Sequence, residues 1–233
     1  STWANNPNSL SSARRGSAGT GTGIPSAIVF GGYTTTRVGT TEEYSRTTNV
    51  ITGAAFSSGG TVPLANQDLA SFGTQTAAIG AGGYSGPYTN ASYAYNGSSW
   101  TNLPNINTAR TGEGAGTQTA GVIFGGNAPP ADAFQNATEE WNGSSWTEVA
   151  DLNTARRTVG SAGTDNTNAL VFGGFSTTSV ANTESWNGSS WTEVADLNSA
   201  RSSLAGSGKL NTAALAFGGT PPISALTESY NGT

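Results

Sequence analysis

The chain has 233 residues, with 9 Lys or Arg, 14 Asp or Glu, a formal net charge of −5, and neither Cys nor His. The acidic balance and the lack of a basic cluster exclude a phosphate-binding nucleic-acid surface, and no apolar run approaches the ~20 residues of a membrane helix. Without Cys or His, thiol catalysis, imidazole acid–base catalysis and thiolate metal sites are excluded as well. Only 10% of residues are charged, but six Trp, seven Tyr and eight Phe at regular positions argue for a packed core rather than disorder.

Five apolar runs end in Gly-Gly, at Gly31-Gly32, Gly82-Gly83, Gly125-Gly126, Gly173-Gly174 and Gly218-Gly219, spaced by 51, 43, 48 and 45 residues. A period of this length, filled with short strand signals, predicts one four-stranded β-propeller blade per unit. The chain opens on Ser1-Thr2-Trp3, without Met or a visible signal peptide, which reads as a processed product or a domain of something longer. Trp3 to Arg14 reads as the fourth strand of a blade, leading into the first unit. That unit carries an exceptional loop, Phe56–Ala65, and lacks its second Trp.

The third and fourth units join their successors through near-identical segments, Trp141–Arg156 and Trp186–Arg201, both reading WNGSSWTEVADLN and ending in Ala-Arg. Tyr95–Arg110 reads YNGSSWTNLPNINTAR. In the fourth unit the predicted strands are a small-residue strand within Arg156–Gly163, the apolar Ala169–Phe172, Thr183–Trp186, and one starting at Trp191. Asn187-Gly188 marks the hairpin, since both residues tolerate positive φ. The first strand is expected to crowd the ring axis, the second to be buried on both faces, and the paired aromatics to fill the gap between blades. The chain ends on Thr227-Glu-Ser-Tyr230-Asn231-Gly232-Thr233, a third strand and the start of its turn. The N-terminal strand is therefore expected to complete the last blade, closing one all-β, five-bladed propeller over residues 1–233.

The Gly doublet after an apolar strand, Glu184 two residues before Trp186, Trp191 five further on and Arg201 opening the next unit together resemble the kelch repeat family. The resemblance covers the whole chain and implies the propeller fold. Five blades depart from the family's usual six or seven, and fold alone does not imply function. The family's copper oxidases need His and Cys, so their activity does not carry over.

Arg14, Arg110, Arg156 and Arg201 open four units, and Glu42, Glu139, Glu184 and Glu228 sit on the third strands of the same four. In the second unit, matching GTQTA at Gly73–Ala77 with Gly116–Ala120 puts Gln67 at the Arg position, and its third strand puts Tyr93 at the Glu position. Joint loss predicts an ion pair within each of the other units, because one partner alone would leave an uncompensated buried charge. The alternative is a ring of Arg lining a channel for an anion.

No pair of carboxylates stands out for glycosidase chemistry beyond the repeated Glu. Asp132 and Asp165-Asn166 read as turn formers rather than calcium ligands, and no metal or cofactor is expected. The segments from the Gly doublet to the third strand differ between units, while the frame is constant. They carry Tyr33, Arg37, Tyr84, Tyr88, Asn127, Phe134 and Phe175, which form the candidate binding set on one face of the disc. Tyr beside Asn, Ser and Thr suits sugar rings. The expectation is a non-catalytic module on a cell or virion surface that binds glycan or protein, without nucleic-acid binding or membrane insertion. The alternative is a self-assembling subunit of a fibre, appendage or coat.

Overall fold

The computed structural model describes residues 18–23, 26–30, 33, 35–36, 41–45 and 55–232. These residues form antiparallel sheets and no helix. Sheet 1 comprises β1 (Ala18–Gly23), β2 (Ser26–Phe30), β3 (Thr41–Ser45) and β4 (Ala55–Ser58). Sheet 2 comprises β5 (Ala70–Thr74), β6 (Ala77–Ala81), β7 (Ser92–Tyr95) and β8 (Trp100–Leu103). In the third repeat, β9 (Glu113–Thr117) and β10 (Ala120–Phe124) precede a two-stranded ribbon, β11 (Asn127–Ala128) and β12 (Ala133–Phe134). Then β13 (Thr138–Trp141) and β14 (Trp146–Glu148) complete sheet 3. Sheet 4 is β15 (Gly160–Asp165), β16 (Asn168–Phe172), β17 (Thr183–Trp186) and β18 (Trp191–Val194). Sheet 5 has three strands, β19 (Ala205–Leu210), β20 (Ala213–Phe217) and β21 (Thr227–Tyr230).

The arrangement is propeller-like. The first strand of each sheet packs on the first strand of the next, in the order β1, β5, β9, β15, β19. These strands are rich in Gly because their neighbours come so close: a Cβ on Gly206 would overlap the backbone of Ser161 in sheet 4. The second strands of sheets 2 to 4 are buried on both faces, as expected, with Leu170, Val171 and Phe172 at most 2% exposed, whereas β20 leaves Leu215 and Phe217 exposed. Val122 and Phe124 of sheet 3 pack with Val159, Ala169 and Val171 of sheet 4, so the core is a series of inter-sheet layers.

The paired aromatics do fill those gaps. Trp141–Trp146 and Trp186–Trp191 stack at 5.1 and 5.2 Å between ring centroids. The fourth-strand Trp also reaches the preceding sheet: Trp146 Nε1 donates to Ser92 Oγ (3.2 Å) and Trp191 Nε1 to Thr138 Oγ1 (3.1 Å). A buried indole N–H needs such an acceptor.

The Gly doublet has a definite task. The second Gly donates its N–H to the carbonyl of the Arg that opens the next unit: Gly83 to Arg110, Gly126 to Arg156 and Gly174 to Arg201, at 2.7 to 2.9 Å. The first Gly lies against the same carbonyl, and a Cβ on Gly173 would stand 2.6 Å from Arg201 O. Gly173 and Gly174 also hold φ of 62° and 106°, where a side chain costs most.

Three of the expected ion pairs are present within their units: Arg110–Glu139 (3.4 Å), Arg156–Glu184 (2.8 Å) and Arg201–Glu228 (2.5 Å). The fourth, Arg14–Glu42, lies outside the described side chains. Each pair is part of a wider clamp. Glu184 also accepts from the backbone N–H and Nδ2 of Asn153, both at 2.8 Å. Arg156 Nη1 donates to the carbonyls of Gly173 (3.1 Å) and Asn182 (2.5 Å). Asn107 and Asn198 bond Glu139 and Glu228 in the same way. The motif Asn-x-x-Arg thus pins the connector arriving from one sheet to the third strand of the next. The Arg residues are consumed by these clamps and do not form a free ring around the channel.

In the second unit the structure corrects the alignment. Asn66, not Gln67, takes the Arg position: it is fully buried and its Nδ2 donates to Gly82 O at 2.7 Å, as Arg156 does to Gly173 O. Gln67 instead bridges Tyr84 as Arg157 bridges Phe175. The miscount arose because the third unit lacks one residue before its first strand. Units two, four and five have a residue with positive φ there, Asp68, Thr158 and Ser203. Tyr93 does occupy the Glu position, opposite Gly80 as Glu184 is opposite Val171. Pro63 falls where Asn153 stands, so all three clamp residues are replaced together.

Three local expectations also change. Phe56 belongs to a strand, not a loop, and its register partner Tyr44 puts it where the other units have their second Trp. The first strand of the fourth unit starts at Gly160, because Arg157 to Val159 form the approach to the sheet. In the Asn-Gly turns only Gly has positive φ; Asn contributes its side chain, as Asn187 Oδ1 accepts from the N–H groups of Ser189 and Ser190 at 2.9 Å.

Glu184→Gln and Arg156→Met are each expected to lower unfolding stability by about 3–5 kcal/mol, since each strands a buried charge. The double substitution is expected to cost clearly less than the sum. Urea titration of the four proteins checks this, and an additive result would mean that the clamp is not coupled.

Candidate functional site

The strands β5, β9, β15 and β19 line a channel of about 1400 Å³. Their backbones run from the Gly-doublet side, so the approach residues and the variable loops meet at one mouth. Tyr84, Tyr88, Asn127, Asp132 and Arg157 line it there.

Two groups of side chains form at this mouth. Tyr84 and Tyr88 meet edge to face at 5.1 Å, and the Tyr88 hydroxyl donates to Asp132 Oδ1. Burial first, then Asp132, push the Tyr88 phenol up to about 12, so it stays a donor at neutral pH. The β11–β12 ribbon pairs Asn127 with Phe134 and carries Asp132 at the turn between them. Phe134 meets Phe175 of the neighbouring repeat at 5.8 Å, ring planes at 81°. The Arg157 guanidinium lies 5.3 Å from the Phe134 ring centroid and 5.4 Å from that of Phe175, within cation–π range of both. With the Asn127 amide turned to satisfy both its atoms, its oxygen accepts from Arg157 Nη1 at 2.9 Å.

Five of the expected residues, Tyr84, Tyr88, Asn127, Phe134 and Phe175, thus stand in adjoining loops of three successive repeats. Tyr33 is half-buried. Arg37 lies outside the described residues. Arg157, Asp132 and Asp68 were not in the expected set. Arg157 had a signal: the doublet Arg156-Arg157 stands where other units read Arg110-Thr111 and Arg201-Ser202. Asp132 does line the mouth, whereas Asp165 serves as a turn former, its Oδ1 accepting from Thr167 N at 2.8 Å and Oγ1 at 2.7 Å.

The backbone at the mouth is held in unusual conformations. Asp68, Thr158, Ser203, Ala131 and Asp132 all have φ between 49° and 56°. For β-branched Thr158 this is a costly state that its surroundings must enforce. Below these residues Glu113 faces the channel. Burial first, with Asp68 adding repulsion, pushes its carboxyl up to about 8. Among the described residues no three His, Cys, Asp or Glu side chains gather as a metal site.

No known protein family matches the chain, and no curated protein is significantly similar to it. The arrangement of loops around the channel therefore carries the functional reading unaided.

A carboxyl whose pKa is raised on folding weakens the folded state as pH climbs from the unfolded value, about 4.3, to the folded one. Stability is thus expected to decline between pH 5 and about 8 through Glu113. In Glu113→Gln that part of the slope disappears; urea midpoints across this range measure it.

Proposed function

We propose that the chain is a non-catalytic recognition module that binds glycan through the variable loops at the channel mouth, on an extracellular or virion surface. The observation that carries this reading is the gathering of loop residues that differ between repeats, Tyr88, Asn127, Phe134 and Phe175, around one concavity on a constant frame. Aromatic faces with Asn and Asp beside them offer stacking and paired hydrogen bonds to sugar hydroxyls. Tyr88→Ala is expected to weaken binding to the glycans retained on an array about tenfold, with little change in thermal stability. Absence of binding to every class of saccharide would overturn the reading.

The same proposal includes the kelch-like ring. The fifth blade is sheet 5, completed by the N-terminal segment. In sheets 3 and 4 the fourth-strand Trp packs on the preceding sheet, with Trp191 5.0 Å from Phe124 and bonded to Thr138. The corresponding place beside sheet 5 is a cavity of about 120 Å³ lined by Phe172, Thr183 and Tyr230. Trp3-Ala-Asn-Asn-Pro7-Asn8 matches Trp100-Thr-Asn-Leu-Pro104-Asn105 in its Trp, Asn and Pro positions, which supplies the indole for that cavity. Closure would also bring a first sheet against the outer face of β20, where Leu215 and Phe217 are 43% and 40% exposed although their counterparts Leu170 and Phe172 are buried. Trp3→Ala is expected to lower stability by about 3–5 kcal/mol. An unchanged urea midpoint would place that segment elsewhere.

That exposed face also favours the second reading, an assembly subunit in which another copy covers Leu215 and Phe217. Light scattering separates the two: a closed recognition module stays monomeric, and an assembly subunit forms ordered oligomers.

A further inference from the structure

Arg157 differs from the other arginines of the described residues. Arg110, Arg156 and Arg201 each hold a carboxylate of their own repeat, and Arg157 has none within ion-pair distance. Its side chain is nevertheless fixed. Two phenyl rings contact the guanidinium at 5.3 and 5.4 Å, and the buried Asn127 amide takes one Nη1 hydrogen. Four further N–H donors of the fork remain. Arg157 lines the channel mouth and is half-buried, so it is partly stripped of water. The backbone beside it, at Thr158, is held at φ 49° by the approach to β15, and Thr158 O accepts from Ser203 N at 2.8 Å. A planar, pre-oriented, partly desolvated guanidinium without an internal anion is a receptor for a planar anion, which it binds through two parallel hydrogen bonds.

We propose that Arg157 is the anion-binding element of the mouth and that the glycan it selects carries a carboxylate, as a uronic-acid-type sugar does. This deepens the recognition reading and rests on it. The charges around the site narrow the class further. Asp132 and Asp68 also line the mouth, with Tyr88 bonded to Asp132. They suit the hydroxyls of the same sugar and repel dense polyanions. One carboxylate per binding unit is favoured, and a polysulfated chain is not. Arg157 reaches the ligand's carboxylate, while Asp132 accepts from its hydroxyls.

The test uses the full chain and four probes: a glucuronic-acid-containing oligosaccharide, its methyl ester, the corresponding glucose oligosaccharide, and a heparin-type sulfated oligosaccharide. Calorimetry at pH 7 is expected to give at least tenfold tighter binding of the acid than of the ester or the glucose form, and weaker binding of the sulfated chain. Arg157→Gln is expected to remove the preference, and Arg157→Lys to restore only part of it, because a point charge lacks the fork. Equal binding of acid and ester by the natural chain overturns the proposal without depending on any variant. Tighter binding of the sulfated probe, or an unchanged preference in Arg157→Gln, overturns it as well. If neutral sugars bind and the acid does not, the carboxylate proposal falls and the recognition reading stands. If no saccharide binds, both fall.

Discussion

A buried carboxylate that serves two masters organises this fold. In repeats three, four and five, one Glu on the third strand receives the Arg that opens the sheet and the Asn three residues before it. Burying such a charge is costly unless every lone pair is used. Here the Asn N–H groups use those the Arg leaves. The Arg in turn fixes the Gly doublet of its own sheet, as Arg156 does at Gly173 O, and its carbonyl receives the doublet of the preceding sheet. The clamp, the doublet and the sheet-to-sheet spacing are therefore one constraint. Glu228 shows the electrostatic balance: burial pushes its carboxyl up, but Asn198 and Arg201 outweigh that and hold it below the usual range.

Much of this frame was legible in the sequence because repetition exposes it. The strands Thr183–Trp186 and Trp191–Val194, the double burial of the second strand and the pairing of Arg with Glu all follow from comparing repeats. What could not be read was whatever depends on a single residue of length. The third unit is one residue short before β9, so a motif match moved the Arg equivalent from Asn66 to Gln67. The first unit has nine residues between β3 and β4 where sheets 2 to 4 have four, and that hides Phe56 as a strand residue. The Asn of each turn acts through its side chain rather than its backbone, a distinction composition does not carry.

The mouth shows the converse. Its residues vary between repeats, and variation locates a face without specifying which neighbours will touch. Tyr88 with Asp132 and Arg157 with Phe134 are contacts across repeats, and Arg157 with Phe175 is a contact within the fourth. Arg157 is masked in the sequence by the repeat Arg that it follows. The short ribbon Asn127–Phe134 folds back on itself at residues of positive φ and brings Asp132 to the channel. The rim of the second and fourth repeats shares one backbone pattern, Tyr84 bridging Tyr88 as Phe175 bridges Ser179, while the third carries the ribbon instead.

The second repeat has solved the joint without ions. Asn66, Pro63 and Tyr93 stand where the others hold Arg, Asn and Glu, over a core of Val62, Leu69, Tyr95 and Trp100. Its grip on the incoming connector has no proton to gain. In the fifth repeat the joint depends on Glu228 staying ionised, since its carboxyl is held below the usual range on folding and that contribution is lost as pH falls. Among the described joints, the second holds the incoming connector through neutral side chains alone.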